Sequence, residues 1–259
     1  MTEPDVILPS GATACAALPE HANAPGVVVI HEIWGVERHI RSVVDRLADA
    51  GYAAIAPNLF GGLNTQLPED VVFAGYDAIM TVPPEQRAVP ERVAAALETL
   101  TPEHREEFGR LLAAAARGNA PEGHAIVDEA IAWLRGQGAP KVGLMGFCFG
   151  GRVTWAHAYA GGGADAYAPF YGALPPDPDP TKVRAPIEGH FGAEDQGIPI
   201  APIEAAALAL RWLGRDATIH VYPGAPHAFF NDRRPGAYRA DAAALAWQRL
   251  MAFFARTLT

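Results

Sequence analysis

Short, continuously apolar runs alternate with longer stretches of helical periodicity along most of this 259-residue chain. Gly26–Ile30 and Tyr52–Ala56 are apolar throughout, as is typical of strands that are covered on both faces in a parallel sheet. Arg38–Ala50 lies between them, and its apolar residues recur at helical spacing. This order of strand, helix and strand predicts a right-handed parallel crossover.

The same alternation continues to the end of the chain. Further strands are predicted at Ala12–Leu18 (an edge strand), Lys141–Phe147, Asp165–Gly172, Ile187–Gly192 and Ala217–Tyr222. Helices are predicted to begin at Gly150 and to cover Ala125–Leu134, Ile203–Trp212 and Tyr238–Thr257. We therefore expect an α/β fold with a mostly parallel central sheet and helices on both faces. One domain over residues 1–259 is the default for a chain of this length and apolar content.

A helical insertion, at about residues 61–120, interrupts the regular pattern. Thr101 followed by Pro102 predicts a helix N-cap with proline at the first helical position, and Gly118 a helix end. Leu63–Pro84 has no clear period. Two or three helices are expected here, either as part of a lid over a site or as a helical pack or dimer surface without contact to substrate.

Composition and charge exclude several classes of protein. The net charge of -9 is dispersed and the 20 basic residues form no block, which argues against a nucleic-acid partner. Two cysteines, Cys15 and Cys148, argue against a disulfide framework and suit a reducing cytoplasm. Met1–Asp5 lacks the features of a signal peptide, and no apolar run reaches the roughly 18 residues that span a bilayer. We expect a cytoplasmic protein without a membrane partner.

Cys148 marks an abrupt change from strand to helix. The spacing Gly146-x-Cys148-x-Gly150 is that of the nucleophile elbow of α/β-hydrolases, with cysteine in place of serine. Such a turn holds the nucleophile at positive φ and leaves no room for a Cβ two residues away on either side. Alternatively, Cys148 is a small buried apolar residue, or the glycines form a phosphate-binding turn.

Four reactive residues fall at the carboxyl ends of predicted strands, where the functional groups of parallel sheets gather: Glu32, Cys148, Asp195 and His227. The last three follow the chain order nucleophile, acid, histidine of the α/β-hydrolases. In such a triad the histidine takes the thiol proton, the aspartate orients the imidazole, and the amide of Phe149 receives the oxyanion.

Each assignment has a competitor. Glu194 is a rival acid, and Asp195 is also placed to cap the following helix. The histidines that compete with His227 are His31, His157, His190 and His220. His190 and His220 fall within strand patterns and His157 on the helix behind the elbow, whereas His227 follows the last strand in a loop rich in Gly and Pro. His31 remains a candidate for supporting the site beside Glu32.

Four motifs together resemble the dienelactone hydrolase family: His31–Gly35, Gly146–Gly151, Gly192–Asp195 and Gly224–Phe229. The resemblance covers nearly the whole chain except the insertion. It implies an α/β-hydrolase fold, no metal and no organic cofactor, and a triad of Cys148, Asp195 and His227. It also implies that the amide of Ile33 is a second oxyanion donor beside that of Phe149. Glu32 would hold the resting thiol and move when substrate binds.

Substrate preference is less well defined by the motifs. The family has arginines that hold a substrate carboxylate, one of them shortly after the catalytic histidine. Arg233 and Arg234 follow His227 slightly later, but neither is assigned to this role, and the insertion has no clear counterpart for the other arginine. Aromatic pocket walls are expected from Trp34, Phe149, Tyr171 and Phe229, unless these side chains belong to the core. A small ester or lactone is the expected substrate, handled by a monomer or homodimer. A broader carboxylesterase or thioesterase, or a catalytically silent binding protein, are the alternatives.

Overall fold

The computed structural model describes residues 6–61, 69–83, 86 and 89–259. Its sheet has eight strands in the order β1-β2-β4-β3-β5-β6-β7-β8. β1 is antiparallel to β2, and β2 is antiparallel to β4, whereas the six strands β3 to β8 are all parallel to one another. The strands are β1 (Val6–Ile7), β2 (Thr13–Ala17), β3 (Gly26–Ile30), β4 (Ala53–Pro57), β5 (Val142–Phe147), β6 (Ala166–Phe170), β7 (Ile187–Gly192) and β8 (Ala217–Tyr222).

Helices cover both faces of this sheet. They are α1 (Arg38–Asp49), α2 (Glu69–Met80), α3 (Pro90–Ala96), α4 (Pro102–Gly118), α5 (Pro121–Gly136), α6 (Phe149–Tyr159), α7 (Ile200–Trp212) and α8 (Ala240–Leu258). The core accordingly forms two apolar layers, one on each side of the strands. The predicted α/β-hydrolase fold, with a mostly parallel sheet between helices, is confirmed.

The central strands carry apolar side chains on both sides because helices cover both faces. Every residue of β3, β4 and β5 is buried. These strands end side by side, so the loops that follow β3 and β5 lie next to each other at one edge of the sheet. This arrangement brings His31–Ile33 close to the turn at Cys148.

β2 is not the edge strand that the sequence predicted. It lies between β1 and β4, and Cys15 is buried opposite Ala56. The edge is formed instead by β1, which has two residues and is therefore too short to produce a recognisable alternation.

The insertion contributes to the core rather than standing apart from it. Phe108 and Leu111 of α4 are fully buried, and a Cβ on Gly75 of α2 would lie 2.7 Å from the Phe108 ring. Thr101 caps α4 through its side chain, as predicted. At the other end of α4, a Cβ on Gly118 would lie 2.6 Å from the Phe149 ring, so the insertion reaches the residue that follows Cys148. Residues 62–68, within the stretch that showed no period, lie outside the described residues.

Among the helices of the described ranges, none has the length and apolar character needed to cross a membrane.

Candidate active site

Cys148 occupies a strained turn between β5 and α6. Its backbone has φ 53 and ψ -109, a conformation that non-glycine residues rarely adopt. A Cβ on Gly146 would lie 2.3 Å from the Gly150 carbonyl oxygen, and a Cβ on Gly150 would lie 2.3 Å from the Ile30 oxygen. Both glycines are therefore required by close backbone approach, as the elbow pattern predicts. The turn leaves the Cys148 side chain partly exposed.

His227 and Asp195 are joined across the loops that follow β8 and β7. His227 Nδ1 lies 2.7 Å from Asp195 Oδ2. The other carboxylate oxygen, Oδ1, accepts hydrogen bonds from the amides of Gly197 and Ile198 at 2.8 and 3.1 Å. These bonds hold the Asp195 carboxylate in one orientation. The rival acid, Glu194, has an exposed side chain.

The imidazole of His227 also hydrogen-bonds to Cys148. Burial would lower the pKa of His227, but the charge of Cys148 and the hydrogen bonds to Asp195 and Cys148 outweigh it and raise this pKa to about 10. An imidazole with a pKa in that range carries a proton at neutral pH. The arrangement therefore favours a protonated His227 that is hydrogen-bonded to both Asp195 and Cys148.

Glu32 is placed differently from the sequence-based expectation. The Tyr171 hydroxyl donates to Glu32 Oε1 at 3.1 Å, and Asn231 Nδ2 donates to Glu32 Oε2 at 2.5 Å. With both oxygens engaged, the carboxylate makes no hydrogen bond to the thiol among the described residues, and Cys148 pairs with His227 instead. The expected contact between the resting thiol and Glu32 is thus absent from this structure.

Backbone strain is concentrated around these groups. Besides Cys148, Tyr171 and Ala228 have positive φ, at 35 and 58, although neither is glycine. Tyr171 follows β6 and Ala228 follows His227, so all three lie beside the site. The Tyr171 ring meets the His227 ring edge-on at 5.2 Å while its hydroxyl reaches Glu32. Such strained residues persist where the surrounding packing over-determines them, and they are frequent at functional sites.

Two backbone amides, on Phe149 and Ile33, are candidate oxyanion donors. Phe149 is the first residue of α6, where amides are unsatisfied and the helix end is electropositive. Ile33 lies in the loop after β3, and within the described ranges its amide has no protein acceptor. Buried amides without an acceptor are rare, which makes this one a candidate donor to a bound group.

The predicted pocket residues divide into two groups. Trp34 is partly exposed, and the Arg234 guanidinium lies 5.7 Å from its ring centre. Tyr171 and Phe229 are fully buried, so they support the site from the core side. The Arg233 side chain is 55% exposed, and its Nε lies 3.8 Å from Asp232 Oδ1.

The competing histidines have other partners. His157 contacts Asp128 and Tyr167 behind α6. His190 Nδ1 lies 2.8 Å from the Tyr222 hydroxyl, and burial lowers the pKa of His190 well below its usual value. His220 lies 3.6 Å from Glu188. His31, which is fully buried beside Glu32, does contact the residues of the site.

Sequence reasoning missed Asn231 and the role of the Tyr171 hydroxyl. Asn231 follows His227 by four residues, a spacing without meaning unless the loop conformation is known. Its bond to Glu32 joins residues 199 positions apart. The only signal was polar residue type in an otherwise aromatic stretch.

No group of three or more His, Cys, Asp or Glu side chains in the described part of the chain is arranged to hold a metal ion.

Comparisons with known proteins identify the family of this chain. The model of the dienelactone hydrolase family matches residues 12–258. A protein provisionally named carboxymethylenebutenolidase from Methylorubrum extorquens is 32% identical over 257 residues, covering 93% of this chain and 75% of the relative. One of the same provisional name from Saccharolobus solfataricus is 32% identical over 244 residues, covering 94% and 93%.

A solved structure is similar over the same extent. It is the crystal structure of a provisionally named dienelactone hydrolase from Klebsiella pneumoniae, with a TM-score of 0.68 and 28% identity over 98% of both chains. The family match spans strands β2 to β8, the insertion and every residue of the site. The chain therefore belongs to the dienelactone hydrolase family and is a carboxylic ester hydrolase.

Proposed function

We propose that the chain hydrolyses a small ester or lactone through an acyl-enzyme on Cys148. The observation that carries this proposal is the continuous hydrogen-bonded series from Asp195 through His227 to Cys148 at a strained elbow. In this arrangement His227 accepts the thiol proton and Asp195 stabilises the resulting imidazolium.

The reaction would proceed in two halves. The Cys148 thiolate attacks the carbonyl carbon, and the amides of Phe149 and Ile33 stabilise the oxyanion. The carbon–oxygen bond to the leaving alcohol then breaks while His227 gives that oxygen its proton. A water molecule, deprotonated by His227, attacks the thioester, and the carboxylic acid leaves as the sulfur takes up its charge again. For a lactone, the alcohol and acid remain parts of one product.

Glu32 contributes a fixed negative charge at the rear of the site. Its carboxylate and the Cys148 sulfur both act on the Tyr171 hydroxyl, whose pKa is raised well above its usual value by burial and then by these two charges. A carboxylate in this region opposes ionisation of the thiol by like-charge repulsion. A protonated thiol is also less easily oxidised than a thiolate.

Cys148→Ala tests the proposed nucleophile. Turnover of p-nitrophenyl acetate should fall by about four orders of magnitude or more, because the acyl-enzyme can no longer form. The circular dichroism spectrum should not change, since alanine fits wherever cysteine does. Retained turnover would remove the mechanism, and an inactive wild-type enzyme across a panel of esters and lactones would indicate a silent scaffold.

Arg234 is a candidate to bind the negative charge of an anionic substrate. It lies over Trp34, and its charge acts on the hydroxyl of Tyr171, which contacts His227. Arg234→Met should lower kcat/KM for a carboxylate-bearing ester by about tenfold, as expected for one lost charge-assisted bond, and leave an uncharged aryl ester unaffected. Arg233→Met is the matched control because it removes the same charge from an exposed position. Equal losses in both variants would point to a general field effect and to a broad carboxylesterase.

A further inference from the structure

His31 is a fully buried histidine that the proposed mechanism does not use. Its ring nitrogens lie between two backbone groups: Nδ1 is 2.6 Å from the Glu32 carbonyl oxygen, and Nε2 is 3.1 Å from the amide nitrogen of Leu59. The ring is enclosed by aromatic side chains, with Phe149 stacked at 5.6 Å and Phe60 edge-on at 4.6 Å.

These two contacts determine the tautomer of His31. A backbone amide can only donate, so Nε2 must present its lone pair to Leu59. The proton of the neutral ring is then on Nδ1, and it is donated to the Glu32 carbonyl. Burial lowers the pKa of His31 to about 4, although the bond to Glu32 opposes this change. The ring is therefore neutral at the pH at which esterases work.

The Glu32 carbonyl belongs to the same peptide group as the Ile33 amide. Peptide groups are planar and trans, and the structure has no cis peptide among the residues it describes. A carbonyl directed at His31 therefore directs the Ile33 N–H to the opposite side. Within the part of the chain that the structure describes, that N–H has no protein acceptor, and Ile33 is a buried residue. A hydrogen bond to the carbonyl also polarises the peptide group and makes its N–H a stronger donor.

We propose that His31 is a positioning residue for the oxyanion site: its Nδ1–H orients and polarises the peptide group whose N–H, on Ile33, binds the developing oxyanion. Its stacking on Phe149 packs the same ring against the residue that carries the other donor. This inference rests on the proposed function. It also explains why position 31 is a histidine and not another residue that could be buried there.

Two substitutions separate the donor of His31 from its acceptor. His31→Gln can still accept the Leu59 amide near the position of Nε2, but has no donor at Nδ1. His31→Asn places an amide donor near Nδ1 and loses the acceptor. Removal of an oxyanion donor costs about 100- to 1000-fold in kcat, so loss of its orientation should cost roughly 10- to 100-fold. We therefore expect His31→Gln to lower kcat by this factor and to leave KM within about twofold of the wild-type value. In His31→Asn, most of the lost kcat should be recovered.

A readout that needs no oxyanion distinguishes this role from general damage. Reaction of Cys148 with DTNB is thiol–disulfide exchange and forms no tetrahedral acyl intermediate, so its rate should be unchanged in His31→Gln, with Cys148→Ala as the background. Affinity for an aryl trifluoromethyl ketone, whose adduct with the thiolate bears an oxyanion, should fall in parallel with kcat. Equal loss of activity in both His31 variants, or an unchanged kcat in His31→Gln, would overturn the inference.

The wild-type enzyme offers a test without substitution. A ¹⁵N–¹H correlation spectrum of the imidazoles should show His31 as the neutral tautomer protonated on Nδ1. A proton on Nε2 would contradict the inference even if both variants fail to fold. Failure of the proposed function is a separate result, because it would appear as ester turnover that does not depend on Cys148.

Discussion

Two histidines on opposite sides of the Cys148 turn are driven to opposite charge states. For His227 the pKa rises to about 10, and for His31 it falls to about 4. Burial lowers the pKa of both. The difference is that His227 faces the Cys148 sulfur and the Asp195 carboxylate, whereas His31 faces a carbonyl and an amide.

This difference shows that burial alone does not decide the charge of a histidine. Adjacent negative groups offset the cost of desolvating an imidazolium, and uncharged backbone groups do not. The charged ring is suited to moving a proton, and the neutral ring to holding a peptide group in place. Two histidines, each in a loop that follows a parallel strand, therefore have different tasks within a single site.

Among the substitutions that probe this difference between the two histidines, the largest effect should come from removing the charge beside His227. Asp195→Asn keeps the side-chain shape but removes the carboxylate that orients and stabilises the imidazolium. We expect kcat to fall by about three to four orders of magnitude. Steady-state kinetics with a chromogenic ester measures this loss. Glu194→Gln, an exposed neighbour, is the control, and a loss of the same size there would mean that the acid has been misassigned.

The alkaline limb of the pH profile should move in the same variant. His227 must hold a proton to release the alcohol, so wild-type activity should decline only as pH rises through about 10. Asp195 raises the pKa of His227, so Asp195→Asn should bring the decline to lower pH, by about one unit or more. Both profiles are obtained as kcat/KM against pH. A limb that stays in place would show that the coupling between the two side chains is weak.

Glu32 connects the two histidines. Its carbonyl contacts His31, and its carboxylate accepts a hydrogen bond from Tyr171, whose ring contacts that of His227. Glu32→Gln removes a negative charge near the thiol, so alkylation of Cys148 by iodoacetamide should begin at lower pH than in the wild type. The rate of alkylation against pH measures this change. An unaltered profile would count against any electrostatic influence of Glu32 on the thiol.

Acid should destabilise the fold through the neutral histidine. The pKa of His31 in the folded protein, about 4, is below its ordinary value of 6.5, so the unfolded chain binds the proton more tightly. The stability that His31 contributes is complete above pH 6.5 and is lost as pH falls towards 4, at about 1.4 kcal/mol per pH unit. His190 adds a contribution of the same sign.

Urea unfolding at pH 7 and pH 5 measures this loss. In His31→Asn, the free energy of unfolding should fall less between pH 7 and pH 5 than in the wild type, because the contribution of His31 is gone and that of His190 remains. Identical pH dependence in the variant and the wild type would show that folding does not lower the pKa of His31.

Much of the sheet could be predicted from local sequence. β3, β7 and β8 have the predicted bounds, because apolar runs and alternating patterns that end at turn residues are local features of the sequence. α2 was not predicted. The contact that includes it in the core is made between Gly75 and Phe108 of α4, and no local period reports such a distant partner.

The site was predictable where it depends on strand ends and less so where it depends on loops. Cys148, Asp195 and His227 follow directly from the elbow and from chain order, and the structure brings them together. The partners of Glu32 were not predicted, because they depend on the conformation of the loop from Ala228 to Asn231 and on the strained backbone of Tyr171. For the same reason the sequence did not separate Arg234 from Arg233.

The central claim concerns the sulfur of Cys148, and it is tested most directly by trapping the intermediate. The enzyme is mixed with p-nitrophenyl acetate, quenched in acid within milliseconds, and digested for peptide mass spectrometry. We predict an acetyl group on the peptide that contains Cys148, formed before steady state and absent from Cys148→Ala. Turnover without any acetylated intermediate, or with the acetyl group on another residue, would contradict the account.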